Sequence, residues 1–395
     1  MGAFDSLRHR NYRLLWTGAI LSNVGTWMQA VALSWYVFLL THSPFWVSFV
    51  TLANFLPTVL SPLAGVYTDQ FDRKKLLVYA QTFMMIDAAA LAVLVWAGRA
   101  NLAVVLVLTF GMGLGFALNA PTWQAFVPSL VPPESMVNAI ALNSAQFSVA
   151  RVIGPAIGGA LLGIAGAGLV FGINAVSFVA VLIALALIRA QSTGQAEHTG
   201  VRGLLFGGFS YVWRHPQIRT MITVIAVMSF FGSPVTALLP IYAANVYGRG
   251  ASSYGMLAAA LGLGSVFGAL VLGRRGRVTP RLIGGAMVFV GIVLVFFASV
   301  HLFPAAVGFM VLYGGGFLTV VSGTNSTIQL AVDEAVRGRV ISIWMFAFGA
   351  AYPIGSVLQG SLAEVWSAPA VTIVGGAVCV AAGVVMLLFT GRQAA

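Results

Sequence analysis

The stretches Leu14 to Leu40, Phe45 to Tyr67 and Ala103 to Val131 contain no charged residue. Each exceeds the roughly 20 apolar residues that carry an α-helix through bilayer hydrocarbon. A water-soluble surface cannot cover such runs here, because only 7% of the 395 residues are charged, against roughly 25% in ordinary soluble domains. The pattern predicts twelve membrane helices, over 14–40, 45–67, 76–98, 102–127, 138–165, 166–188, 218–247, 254–273, 282–300, 304–330, 340–366 and 369–390. The expected class is an all-α membrane protein.

A formal charge of +11 would suggest a nucleic-acid partner in a soluble protein. Here the positions of the charges assign it to membrane topology instead, and no nucleic acid is expected. Seventeen of the twenty Lys and Arg residues fall on one side of the predicted bilayer: Arg8, Arg10 and Arg13 before span one, the Arg73 cluster after span two, and the remainder around the central loop, after spans eight and ten, and at Arg392. Arg99 and Arg249 lie on the other side, and Arg151 lies within span five. The positive-inside rule makes the rich side cytoplasmic and puts both termini there. The expected location is the cell membrane, spanned many times.

Residues 190–200 (AQSTGQAEHTG) have a linker composition. Val201, Leu204, Leu205, Gly208, Phe209 and Val212 then recur at helical spacing beside Arg202 and Arg214, the pattern of a short interfacial helix. The chain divides into residues 1–188, a cytoplasmic linker at 189–217, and 218–395. The two halves match weakly at an offset near 200: Arg8 to Arg13 with Arg214 to Arg219, Thr122-Trp123-Gln124 with Thr327-Ile328-Gln329, and Ile153-Gly154 and Gly159 with Ile354-Gly355 and Gly360. Two pseudo-twofold-related six-helix halves are the natural reading, since transporters are built from such repeats.

Two strings carry more specific information. After span two comes Gly65-Val66-Tyr67-Thr68-Asp69-Gln70-Phe71-Asp72-Arg73-Lys74-Lys75, in which a small residue permits close helix approach and clustered opposite charges can form a cytoplasmic latch. In span five, Gly154-Pro155-Ala156-Ile157-Gly158-Gly159 combines a proline, which removes a backbone hydrogen bond, with glycines that allow close packing, so a bent helix able to touch the other half is expected. The same strings also serve as topogenic charge and plain helix packing.

The first string resembles the signature loop of the major facilitator superfamily, with Gln70 in place of a base after the acid and Asp72 in place of a glycine. That D-x-F-D-R-K-K form is similar to the branch holding the enterobactin and macrolide exporters. The second resembles the superfamily's antiporter motif, though Ala145 stands where the longer pattern begins with glycine. The resemblance implies the major facilitator fold, and a latch in which Asp69 faces the positive N-terminal end of span eleven. The equivalent loop after span eight has Leu272 where the acid would be, so only the N-terminal latch is expected.

Asp87 and Arg151 lie near mid-span, where a charge costs roughly 3 kcal/mol on insertion scales, so each needs protein or water around it. Asp87 is a candidate proton-binding carboxylate. Arg151 is a candidate substrate anchor, or the group that resets Asp87. Glu364 is a candidate for coupling at the outer end of span eleven. Spans one, four, seven and ten line the cavity if the resemblance holds, which singles out Asn23, Trp27, Met28, Gln29, Phe116, Asn119, Phe230, Phe231, Thr319 and Asn325. Aromatics, a methionine and amides suit a bulky, partly apolar small molecule; lipid contact and helix packing use the same residue types.

Lys74 and Lys75 are the only lysines and follow no glycine-rich loop, so an ATP-driven pump is excluded for this chain alone. The five histidines show no metal-ligand spacing and the single Cys379 permits no intrachain disulfide. No enzyme activity and no cofactor is expected. The expected function is secondary active transport by a monomer, proton-coupled efflux of a drug or siderophore by alternating access. A lipid or lysolipid translocase and a non-transporting scaffold or sensor are the alternatives.

Overall fold

The computed structural model describes residues 4–60, 71–189, 210–274 and 278–392, and every regular element among them is helical. The helices are α1 (Arg10–Thr41), α2 (Pro44–Phe55, continued by a 3-10 turn, Leu56–Leu60), α3 (Arg73–Trp96), α4 (Leu102–Phe126), α5 (Met136–Leu187), α6 (Pro216–Val246), α7 (Ala251–Arg274), α8 (Pro280–Ser299), α9 (Phe303–Ala331), α10 (Glu334–Val365) and α11 (Ala368–Arg392). Their ends have local causes. Asp72, Asn101 and Thr279 cap α3, α4 and α8 by accepting the amides of Lys75, Val104 and Leu282. His42 closes α1 in the left-handed region, at φ 48°, with its own amide on the Phe38 carbonyl.

Ten helices among the described residues are long and apolar enough to cross a membrane, where the sequence predicts twelve spans. The numbers part at two places. Helix α2 is described only to Leu60. Helix α5 runs 52 residues, about 78 Å if straight, more than twice the hydrocarbon layer of ~30 Å. Its backbone breaks at Gly166, with φ 78° and ψ 176°, a conformation essentially confined to glycine. Packing against α1 shows that the chain reverses there. Going up α1, Tyr12, Trp16 and Met28 meet Ala139, Leu142 and Gly158 on the first arm of α5 in rising order. Arg10, Gly18 and Gly25 meet Leu187, Ala180 and Asn174 on the second arm in falling order. The break falls at the boundary predicted between spans five and six.

The helices form two compact units. The first holds Met1–His42, Ala53–Glu197 and Gly250–Ala259; the second holds Ser43–Leu52, His198–Arg249 and Ala260–Ala395. This differs from a plain division at the linker, since the first turns of α2 and of α7 each belong to the unit of the other half.

The weak sequence repeat reappears as equivalent packing. In the first unit Gly154 lies against Trp27 of α1, and Gly159 against Ala251 and Gly255 of α7. In the second, Gly355 lies against Phe230 of α6, and Gly360 against Pro44 and Ser48 of α2. The glycines matched by offset are those at which the backbones touch, because a helix pair in lipid is held by close packing of small residues. A Cβ on Gly159 would lie 2.6 Å from the Gly255 Cα. Gly159→Leu is therefore expected to cost ~1–2 kcal/mol of stability by overpacking, read as a lower thermal midpoint in detergent. Gly308→Leu, whose Cβ meets nothing within 4 Å, is the control that leaves the midpoint in place.

Candidate functional site

In the first unit, α1 and the first arm of α5 place a cation on an aromatic wall. The Arg151 guanidinium carbon stands 5.6 Å from the Trp27 ring centroid, and Phe147, one turn earlier on α5, meets Trp27 edge-on at 5.7 Å. Gly154 makes this possible, since a Cβ there would lie 2.5 Å from the Trp27 Cβ. Pro155 also has no amide hydrogen to give the Arg151 carbonyl. The helix keeps its φ/ψ through Pro155, so the expected bend is not a backbone break; Gly166 is the break in α5. Both side chains are half-buried, where a cation–π contact is worth ~1 kcal/mol, and a guanidinium is a group that recognises anionic or oxygen-rich molecules.

Asp87 is 6% exposed in α3. Gly111 of α4 leaves it room: a Cβ there would come within 2.7 Å of Asp87 Oδ1. Its Oδ2 has no hydrogen-bond partner among the described residues. Asp87 thus packs toward α4 and Arg151 toward α1, so the structure does not bring the two mid-span charges together as a pair. Nearer the basic end of α3, Gln81 Nε2 donates to Asn119 Oδ1 at 3.0 Å, and both Trp123 Nε1 and Gln146 Nε2 donate to Asn143 Oδ1.

Met28 and Gln29, expected in a cavity, are buried in helix packing. Met28 backs Gly158, and Gln29 Oε1 accepts from Asn174 Nδ2 at 2.7 Å. Asn23, Trp27 and Asn119 are half-buried and Phe116 is exposed. Gly65 and Asp69, the core of the expected latch, lie outside the described residues. The other latch residues serve the first unit. Asp72 is the α3 cap already noted, Arg73 Nη1 donates to the Ala125 carbonyl, and Lys74 Nζ donates to the Ile188 carbonyl at 2.7 Å. The last two contacts put cations at helix C-termini, where the dipole favours them. Lys75 contributes its amide to the Asp72 cap.

The second unit holds a feature that sequence reasoning missed. Helix α6 contains a π turn, Met228–Gly232, followed by Pro234. The amide that would serve the Phe230 carbonyl belongs to Pro234, which has none. Gln359 Nε2 of α10 fills the gap, donating to the Phe230 and Phe231 carbonyls at 2.9 and 3.1 Å, and Tyr313 Oη of α9 donates to the Gly232 carbonyl at 3.0 Å. This fixes the neighbouring rings of Phe230 and Phe231, centroids 4.8 Å apart. An amide at position 359 inside an apolar run, with glycines at 355 and 360, was the available signal. Thr319 lines a groove between α7, α8 and α9, and Asn325 accepts from Gln329 within α9. Exposed Glu364 accepts from Ser43 Oγ at the start of α2.

The model of a family described as transmembrane secretion effectors matches residues 1–394. The chain is 26% identical to the staphyloferrin A transporter of Staphylococcus aureus, over 90% of either chain. It is 27% identical to the enterobactin exporter EntS of Citrobacter koseri, over 97% of this chain and 92% of that one. Macrolide efflux protein A of Streptococcus pyogenes is 22% identical over 90% and 91%. Among solved structures, a bacterial homologue of the human lysosomal transporter Spinster, inward-facing, superposes with a TM-score of 0.72 at 16% identity over 96% and 95% of the two chains. A POT family transporter in complex with 5-aminolevulinic acid gives 0.79 at 12% identity over 97% and 96%. At these identities the structures speak to the fold alone.

Proposed function

The chain belongs to the transmembrane secretion effector family of major facilitator transporters, and on that premise we propose that it exports a bulky, oxygen-rich anionic small molecule of the siderophore class in exchange for protons, by alternating access. It is a transporter and not an enzyme. The observation that carries the choice of cargo is Arg151 seated on Trp27 beside Phe147. A fixed guanidinium next to aromatic faces suits catecholate or carboxylate ligands, whereas a basic macrolide would meet like charge. The glycine contacts along Gly154 to Gly159 support the exporter reading of that string. The seventeen basic residues on one side support a cytoplasmic-membrane location with both ends inside.

Accumulation of a panel of siderophores, macrolides and dyes in efflux-deficient cells, with and without the gene, tests this. Lower accumulation confined to anionic siderophores is expected; lower accumulation of macrolides and dyes alone refutes the cargo class. In the same assay Arg151→Ala should reduce export about tenfold, the effect of losing ~1.4 kcal/mol of recognition. Arg151→Lys should recover only part of it, because an ammonium lacks the planar fork.

A further inference from the structure

Between α7, α8 and α9 the second unit carries a groove of about 730 Å³. Its walls are apolar side chains such as Phe267, Val271, Phe289 and Leu312, and its floor is backbone. Gly264 and Gly268 of α7 touch Val311 and Gly315 of α9, while a Cβ on Gly285 of α8 would meet nothing within 4 Å. Gly264 and Gly268 bring the α7 and α9 backbones together, and Gly285 leaves open the space that a side chain would fill. All three helices are long and apolar enough to cross a membrane. Phe267, Val271, Phe289 and Leu312 are exposed, so bilayer hydrocarbon has access to the groove.

One end of the groove is charged. Arg281 lines it from the first turn of α8, is exposed, and forms no ion pair among the described residues. A cation at a helix N-terminus is misplaced with respect to the dipole, and that turn contains no acid. Helix stability does not explain its position; the positive-inside rule accounts for its side of the membrane, and its place at the mouth of the groove leaves the guanidinium open to an anion. The other groove, about 530 Å³ between α3 and the second arm of α5, is lined only by apolar residues such as Met85 and Val179 and offers nothing to select a headgroup.

We propose that the α7–α8–α9 groove is a binding site for an anionic phospholipid, one acyl chain lying along the glycine floor and the phosphate held by Arg281. A tail gains little from protein that it would not gain from neighbouring lipid, so the groove supplies shape and Arg281 supplies selectivity. One basic residue near the surface is worth ~1 kcal/mol toward anionic lipid, about a fivefold preference. Thr319, a candidate for the cargo cavity, lines this groove; lipid binding there does not depend on proton coupling.

The test uses the full chain in nanodiscs of equal parts phosphatidylglycerol and phosphatidylcholine, with retained lipid counted by native mass spectrometry. Wild type should retain phosphatidylglycerol about fivefold over phosphatidylcholine. Arg281→Gln should bring the ratio to parity, and Gly285→Phe should remove the retained lipid of both kinds. A fivefold preference surviving Arg281→Gln, or wild-type retention by Gly285→Phe, overturns the proposal. Should a variant fail to fold, phosphatidylglycerol with a photoreactive acyl chain is crosslinked to wild type. Label on α7, α8 and α9 peptides supports the site, and label spread evenly over all helices refutes it.

Discussion

Asp87→Asn is expected to reduce the gradient of exported substrate from as much as about 50-fold to unity, while exchange of substrate down its own gradient continues. The upper figure is what one proton moving through 100 mV can sustain, ~2.3 kcal/mol. The argument starts from cost. A bare carboxylate at mid-span costs roughly 3 kcal/mol on insertion scales, and Asp87, 6% exposed, has an Oδ2 with no hydrogen-bond partner among the described residues. Such a group is a natural place for a proton to be taken up and released as access changes. Asparagine keeps the shape against Gly111 and removes only that capacity, so the thermal midpoint should hold. Proteoliposomes with an imposed pH gradient measure the effect; undiminished uphill transport by the variant excludes Asp87 from coupling. Gly111→Ala, whose Cβ would come within 2.7 Å of Asp87 Oδ1, should weaken coupling by displacing the same carboxylate.

The apolar runs made the helices legible because each must satisfy its backbone alone in lipid, and the break at Gly166 fell where the run from Met136 was divided. The offset repeat was legible for the same kind of reason. Gly154, Gly159, Gly355 and Gly360 are constrained by backbone contact, which tolerates no other side chain. What was not legible were partners. Nothing in the sequence distinguishes Gln29, spent on Asn174, from Asn23, nor shows that Arg151 faces Trp27 instead of Asp87, because those outcomes depend on helix rotation. Nor did the spacing show that Lys74 reaches the Ile188 carbonyl, since the loop charges looked like partners for one another. Amides such as Gln359 are read correctly only once the Phe230 carbonyl stranded by Pro234 is in view.

That stranded carbonyl sets the second large effect: Gln359→Leu should cost ~3 kcal/mol of stability and change cargo recognition. Gln359 is 4% exposed and its Nε2 serves the carbonyls of both Phe230 and Phe231. Leucine fills similar space with no donor, so the Phe230 carbonyl, for which Pro234 has no amide, loses its partner and the Phe231 carbonyl loses one bond, at ~1–3 kcal/mol each, moderated because an unfolded membrane chain also finds partners. Tyr313→Phe removes one bond, to Gly232, and should cost ~1 kcal/mol. The functional consequence follows from geometry. A π turn holds one residue more than the corresponding α turn. If it relaxes when Gln359 is lost, the residues beyond it rotate by about 100° relative to those before it, and the Phe230–Phe231 pair turns with the strain. Thermal midpoints in detergent and the transport KM in proteoliposomes measure the two parts. A variant that keeps the wild-type midpoint and the wild-type KM would show that the π turn holds itself, with Gln359 a bystander.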